Sequence, residues 1–227
     1  MIIRAGISLS ALLKKKSYMA NSNIFTRKDI EQPNIEFYSD NEVNAFDGWQ
    51  TASAQQSNYD ILLDVSGRLE PQQRILDVGC GSGHLYRSLD ARAGIDYVGI
   101  DIRSDVIKSL KTEFKDQENR FLDHTLDSYI EKEKPPIFDY VFASGTYNIK
   151  VDDNDMQEYL EDQINKLWGL AQIGVAFNCT SIYAYNQNDL IQYYHPVSVF
   201  SHCMTKCDRV SLLHEYDISE FTIYMYR

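Results

Sequence analysis

The sequence predicts an α/β fold: a doubly wound, mostly parallel seven-stranded sheet finished by an antiparallel C-terminal hairpin. Three observations carry that prediction. Short apolar runs alternate with stretches of helical periodicity between residues 74 and 179, the pattern of strands joined by crossover helices. The first of these strands runs into a glycine-rich turn, Gly79-Cys80-Gly81-Ser82-Gly83, that opens a helix. The last two strand-like runs, Arg209 to Glu215 and Glu220 to Tyr226, have only Tyr216 to Ser219 between them. No crossover helix fits in that gap, so the final strand runs antiparallel to its neighbour.

Each element has its own signal. The first twenty residues, MIIRAGISLSALLKKKSYMA, place their lysines after the apolar run, the reverse of a secretory signal, and the run is too short to span a bilayer. Residues 1–20 therefore read as a leader or disordered extension, 21–52 as an N-terminal arm or cap, and 53–227 as the main domain. From Ala52 a helix is expected, with Ile61, Leu62, Val65 and Leu69 on one face and Pro71 just past its end. Arg74 to Val78 is a short buried strand and Gly83 to Leu89 the helix after the turn. Tyr97 to Ile100 is the second strand; Ser104 is the expected cap of a helix whose inner face is Val106, Ile107, Leu110 and Phe114. Phe121 and Leu122 mark a brief third strand, and Phe138 to Ala143 a fourth, after a loop with Pro135 and Pro136. Met156, Leu160, Ile164, Leu167 and Ala171 repeat at helical spacing before a buried strand, Gly174 to Cys179.

Composition narrows the function. The 227 residues are 44% hydrophobic, enough for one sizeable core, and the formal net charge is -11. Such a surface repels phosphate backbones, so nucleic acid is not the expected partner, and the longest basic run is Lys14-Lys15-Lys16. No segment reaches membrane-spanning length. Cys80, Cys179, Cys203 and Cys207 form no C-x-x-C pair, which fits reduced thiols in a cytoplasm. His202, Cys203 and Cys207 lack a second ligand pair and share a helical face, so no metal site is assigned.

The glycine turn sits at the carboxyl end of a strand, where open sheets bind ligands and where glycines let a ligand approach the backbone. Alone it suits several nucleotide cofactors. Asp101 ends the second strand 20 residues after Gly81, placed to accept ribose hydroxyls. Asp77, at the mouth of the first strand, would repel a pyrophosphate at the adjacent helix N-terminus and suits a ligand that brings a positive group.

Residues 75–101, ILDVGCGSG through VGIDI, resemble the first two motifs of the class I S-adenosylmethionine-dependent methyltransferases, whose fold is Rossmann-like. FDYVFASG, residues 138–145, resembles their fourth motif, and the terminal hairpin matches their antiparallel last strand. The chain is also similar to a bacterial, small-molecule-type group within that superfamily. That likeness rests on Gly48-Trp49, Ser144-Gly145-Thr146-Tyr147-Asn148, Val175-Ala176-Phe177-Asn178, His214-Glu215-Tyr216 and Glu220-Phe221-Thr222. The resemblance implies S-adenosylmethionine as cofactor. Gly79, Gly81 and Gly83 would line its methionine end, with Asp77 near the amino group, and Cys80 and Ser144 would also bind the cofactor. Asp101 would hold the ribose, Ile102 would pack on adenine, and Asp123 would face the adenine amine.

The expected reaction is methyl transfer to an oxygen or nitrogen of a small metabolite, of the natural-product kind. The Pro-Pro motif of enzymes that methylate exocyclic amines is missing from Ser144-Gly145-Thr146-Tyr147. Tyr183, Tyr185, Tyr193 and Tyr194 form an aromatic insert after the fifth strand, fitting an apolar or ring-bearing acceptor. His214, His195 and Tyr147 are the candidate catalytic residues, His214 because Glu215 beside it would raise its basicity. Asn178 is read as tying two loops together more than orienting substrate. Two rivals stand beside this reading: a partner subunit that binds the cofactor without turnover, and a nicotinamide-dependent oxidoreductase, which Asp77 and the hairpin disfavour.

Overall fold

A computed structural model describes residues 27–38, 52–67, 69–90, 94–151 and 156–227. The leader at 1–20, much of the arm and Gly48-Trp49 lie outside these residues. The described elements are helix α1 (Arg27–Tyr38), α2 (Ala52–Leu63), β1 (Arg74–Val78), α3 (His84–Asp90), β2 (Asp96–Asp101), α4 (Ser104–Glu113), β3 (Phe121–Asp123), α5 (Leu126–Glu133), β4 (Phe138–Ala143), α6 (Met156–Leu170), β5 (Ala171–Thr180), α7 (Pro196–Met204), β6 (Arg209–Leu213) and β7 (Glu220–Tyr226).

The seven strands form one sheet in the order β3-β2-β1-β4-β5-β7-β6. β1 to β5 run parallel, and β7 pairs antiparallel with both β5 and β6. The expected strands are all present, with β5 extended at both ends. It begins at Ala171, which the helical spacing had assigned to α6.

Two cores cover the two faces. Tyr59, Leu62, Leu85, Leu89, Ile107 and Leu110 bring α2, α3 and α4 onto one face against Ile75 and Phe142. Tyr129, Leu160, Ile164, Leu167, Val199 and Cys203 bring α5, α6 and α7 onto the other against Leu76, Val141 and Val175. Burial on both sides explains why β1 after Arg74 and β4 are apolar apart from Asp77 and Asp139. The strand order reverses between β1 and β4, so their carboxyl ends diverge and leave a crevice.

Two local expectations need correction. Ser104 does not cap α4: Arg103 holds the cap position, and the Ser104 hydroxyl instead donates to Asp123 Oδ2 at 2.6 Å. Helix α5 was not anticipated, although Thr125 caps it by accepting the Ser128 N–H.

Candidate active site

The crevice above β1 and β4 is a cleft of about 800 Å³ including its open mouth. Its floor is the glycine turn. Gly79 and Cys80 both donate their N–H groups to Ile100 O, which pins the turn against β2. Gly79 has φ +73°, a conformation that side-chain-bearing residues avoid. A Cβ there would also lie 2.5 Å from Thr146 Oγ1. Thr146 comes this close because its hydroxyl donates to Val78 O at 2.6 Å, tying the loop after β4 to the end of β1.

Asp101 organises the neighbouring rim. Its Oδ2 accepts the Gly81 N–H and its Oδ1 the Arg103 N–H, each at 2.8 Å. Beyond it Ile102, Arg103, His124, Thr125 and Leu126 form one end of the cleft. Ile30, Asn34 and Tyr38 of α1 lie across that end, and the Arg103 guanidinium sits 4.7 Å from the centre of the Tyr38 ring. Part of the expected N-terminal cap is therefore a wall of the cleft. Ser144, Gly145, Thr146 and Tyr147 of the loop after β4 also line the cleft, with Tyr59, Tyr159 and Gln163.

The expected cofactor residues divide. Gly79, Gly81, Asp101, Ile102 and Ser144 line the cleft, and so does Tyr147. Asp77, Cys80, Gly83 and Asp123 are not among its lining residues. Asp77 is almost wholly buried and accepts a hydrogen bond from Tyr97 Oη at 2.7 Å. Burial, and then Asp77, hold the Tyr97 phenol well above its usual pKa, so it stays protonated and donates. Asp77 thus stands behind the glycine turn, held by a phenol that sequence reasoning had not paired with it. Asp123 accepts from Ser104, and His124 and Thr125 reach the cleft in its place.

Two polar atoms of the cleft point to a ligand. Ser144 Oγ and Tyr147 Oη are both sealed from solvent and have no hydrogen-bond partner among the described residues. Buried hydroxyls ordinarily find a partner, so a pair left idle on one cleft wall fits a bound polar molecule. With Asp101 on the opposite rim and the close backbone approach at Gly79, these residues fit a nucleoside bearing a polar, amino-acid-like end. Burial, followed by the influence of Tyr159, pushes the Tyr147 phenol well up, so it is a hydrogen-bond donor and not a base.

The two histidines lie elsewhere on the sheet edge. Neither His195 nor His214 is among the cleft-lining residues; both pack on Tyr183, with ring centres 6.0 and 5.9 Å away. The expected His214–Glu215 pairing is corrected: the Glu215 carboxylate accepts the His214 backbone N–H, while the imidazole Nε2 faces Ile218 O at 3.2 Å. His195 precedes α7 without capping it, and its Nδ1 is buried with no partner among the described residues. His84 stacks on Tyr59 and contacts Gln56 Oε1 at 3.0 Å. Asn178 ties the loop after β4 to helix α2, where two loops were expected: it accepts the Gly145 N–H at 2.6 Å and donates to Asn58 Oδ1 at 3.3 Å. His202, Cys203 and Cys207 are absorbed by structure: His202 meets Asn165 and Glu161, and burial raises the Cys203 thiol to about 12.

The insert after β5 leans on the loop after β4. Gln192 N–H donates to Asn148 O, Lys150 N–H to Leu190 O, and Tyr194 Oη to Tyr147 O. The aromatic segment is thereby anchored beside the loop after β4. Tyr183 and Tyr185 are left exposed, Tyr194 buried. Among the described residues, no helix is long and apolar enough to cross a membrane.

The sequence pattern of a family described as a methyltransferase domain matches residues 76–167. No curated protein matches the chain in sequence. The fold is similar to magnesium protoporphyrin IX methyltransferase from Synechocystis PCC 6803 with bound SAM, at TM-score 0.59 and 16% identity, covering 99% of this chain and 100% of that one. It is also similar to a plantazolicin methyltransferase in complex with a triazolic desmethylPZN analog and SAH. There the TM-score is 0.62 and the identity 11%, over 88% of this chain and 97% of that one. Mycolic acid cyclopropane synthase complexed with SAH and CTAB aligns at TM-score 0.55 and 13% identity, over 82% and 73%. At these identities the structural likeness establishes the fold.

Proposed function

This chain has the class I S-adenosylmethionine-dependent methyltransferase fold with a methyltransferase domain at residues 76–167, and from that premise we propose that it methylates an oxygen or nitrogen of a small metabolite. The idle hydroxyls of Ser144 and Tyr147, set across the cleft from the Asp101 carboxylate, are the observation that carries this reading. The cofactor supplies a methyl group on a positively charged sulfur, already activated for direct displacement. The protein's work is therefore to align, to hold and to exclude water.

Each part of the cleft has a share in that work. Asp101 accepts the ribose hydroxyls at one rim while its other contacts keep Gly81 and Arg103 in place. Ile102 packs against adenine, with Tyr38 and Arg103 as the far wall. Ser144 and Tyr147 offer hydroxyls to the amino-acid end, and Tyr59 and Tyr159 keep water from it. A general base is required only where the acceptor must lose a proton. The acidic surface and the aromatic insert support a small, ring-bearing acceptor.

Isothermal titration tests the cofactor: S-adenosylmethionine should give a saturable heat and NADH none. The reverse result makes the chain an oxidoreductase. Incubation with methyl-labelled cofactor and a soluble metabolite extract tests turnover. Label moving into small products supports transfer, whereas label that stays in the cofactor makes the chain a binding subunit.

A further inference from the structure

The antiparallel register of β5 and β7 sets Thr180 opposite Glu220 and Asn178 opposite Thr222, so the four share one face of the sheet. That face is under α2. Asn178 donates to Asn58 Oδ1 on α2, and Asn58 in turn hydrogen-bonds the Glu220 carboxyl. The other end of this chain of contacts is the Gly145 N–H on the cleft wall. A short series of amide side chains therefore connects the cleft to a carboxyl group on the outer half of the same sheet edge.

Among the described residues, nothing accounts for that carboxyl. The Glu220 side chain is half-buried, yet its Oε2 is sealed from solvent and has no hydrogen-bond partner among the described residues. The titratable groups around it are Asp217 from the β6–β7 turn, Tyr216, and Cys179 of β5. Tyr216 is already engaged with Thr222 Oγ1 at 2.9 Å, and the Cys179 thiol is held protonated by burial. None of these neighbours is a cation. Burial, with repulsion from Asp217 behind it, pushes Glu220 up to about 8, against the opposing pull of its Asn58 bond. An acid buried beside another acid, with one oxygen idle, is a costly arrangement for stability alone. The missing component is a positive hydrogen-bond donor.

We propose that Glu220 selects the acceptor, its Oε2 taking the ammonium group of an amine-bearing small molecule whose methyl-accepting atom lies toward Gly145 and Tyr147. The proposal deepens the methyl-transfer reading and rests on it. On docking, Glu220 gives its proton to solvent and forms an ion pair with the substrate ammonium; no covalent bond is made at this step. Because the proton must leave, amine binding strengthens as pH rises through the range below the Glu220 value.

The test uses the full chain with S-adenosylhomocysteine bound, and two probes of equal shape: phenethylamine, charged, and 2-phenylethanol, neutral. The cofactor product is titrated first, and its failure to bind overturns the methyltransferase reading together with the proposal. With it bound, phenethylamine should bind at least tenfold more tightly than the alcohol, and its affinity should rise severalfold between pH 6.5 and pH 8. Glu220→Gln, the isostere of the neutral carboxyl, should erase the preference while S-adenosylhomocysteine affinity reports that the fold is kept. Equal affinity for the two probes, or a preference that survives Glu220→Gln, overturns the assignment of Glu220.

Discussion

Gly79→Ala is the sharpest probe of how the cleft floor is built, because two separate penalties meet there. The backbone at φ +73° costs an alanine about 1–2 kcal/mol. The added Cβ would sit 2.5 Å from Thr146 Oγ1 and 2.8 Å from its Cγ2, an overpacking that costs a further 1–3 kcal/mol or so. Thr146→Ala removes both offending atoms, leaving the Thr146 Cβ contact at 3.1 Å, and loses the bond to Val78 O, about 1 kcal/mol. In the Thr146→Ala background, Gly79→Ala should therefore cost only its backbone share, giving a coupling of about 1–3 kcal/mol between the two positions. Urea unfolding of the four proteins in the cycle measures it, and titration with S-adenosylmethionine should show the same pattern in affinity. Strict additivity would mean that the two loops do not touch as described, and the close approach of the β4 loop to the glycine turn would be refuted.

Three further outcomes are expected. Asp101→Ala should weaken S-adenosylmethionine binding by about 1.5–3 kcal/mol, roughly 10- to 100-fold by calorimetry, through loss of charge-assisted hydrogen bonds at the rim. Tyr147→Phe should leave the ligand-free protein as stable or about 1 kcal/mol more stable, since it deletes a buried hydroxyl with no partner among the described residues, while transfer slows. Between pH 6 and 9 its rate profile should keep the wild-type shape, because the phenol stays protonated throughout; a lost limb in that range would restore Tyr147 as a base. Glu220 is raised from an ordinary carboxyl value to about 8, so the native state holds this proton more tightly than the unfolded chain. Its contribution to stability is therefore greatest near pH 4.5 and falls as pH rises to about 8, with a slope of up to roughly 1.4 kcal/mol per pH unit. Denaturation of wild type and Glu220→Gln across that window should differ by this slope, and parallel curves would show that the carboxyl titrates normally.

Much of this protein is written in local sequence. The apolar runs of β1 and β4, the helical spacing of α4 and α6, and the short gap before β7 each follow from short-range sterics and burial, which neighbouring residues settle among themselves. The glycine turn and Asp101 were legible for the same reason: a tight turn and a strand-end acid 20 residues on have few other uses.

What the tertiary structure decided was which side chains meet. It turned Asp77 onto Tyr97 behind the turn, gave Asp123 to Ser104, and put His195 and His214 against Tyr183 instead of in the cleft. It brought Tyr38 and Tyr59 from distant helices to the cleft, and it linked Glu220, near the end of the chain, through Asn58 to Asn178 and Gly145. Periodicity records which face a residue occupies, but the partner across that face depends on strand order and register, and those are set only when the whole sheet assembles.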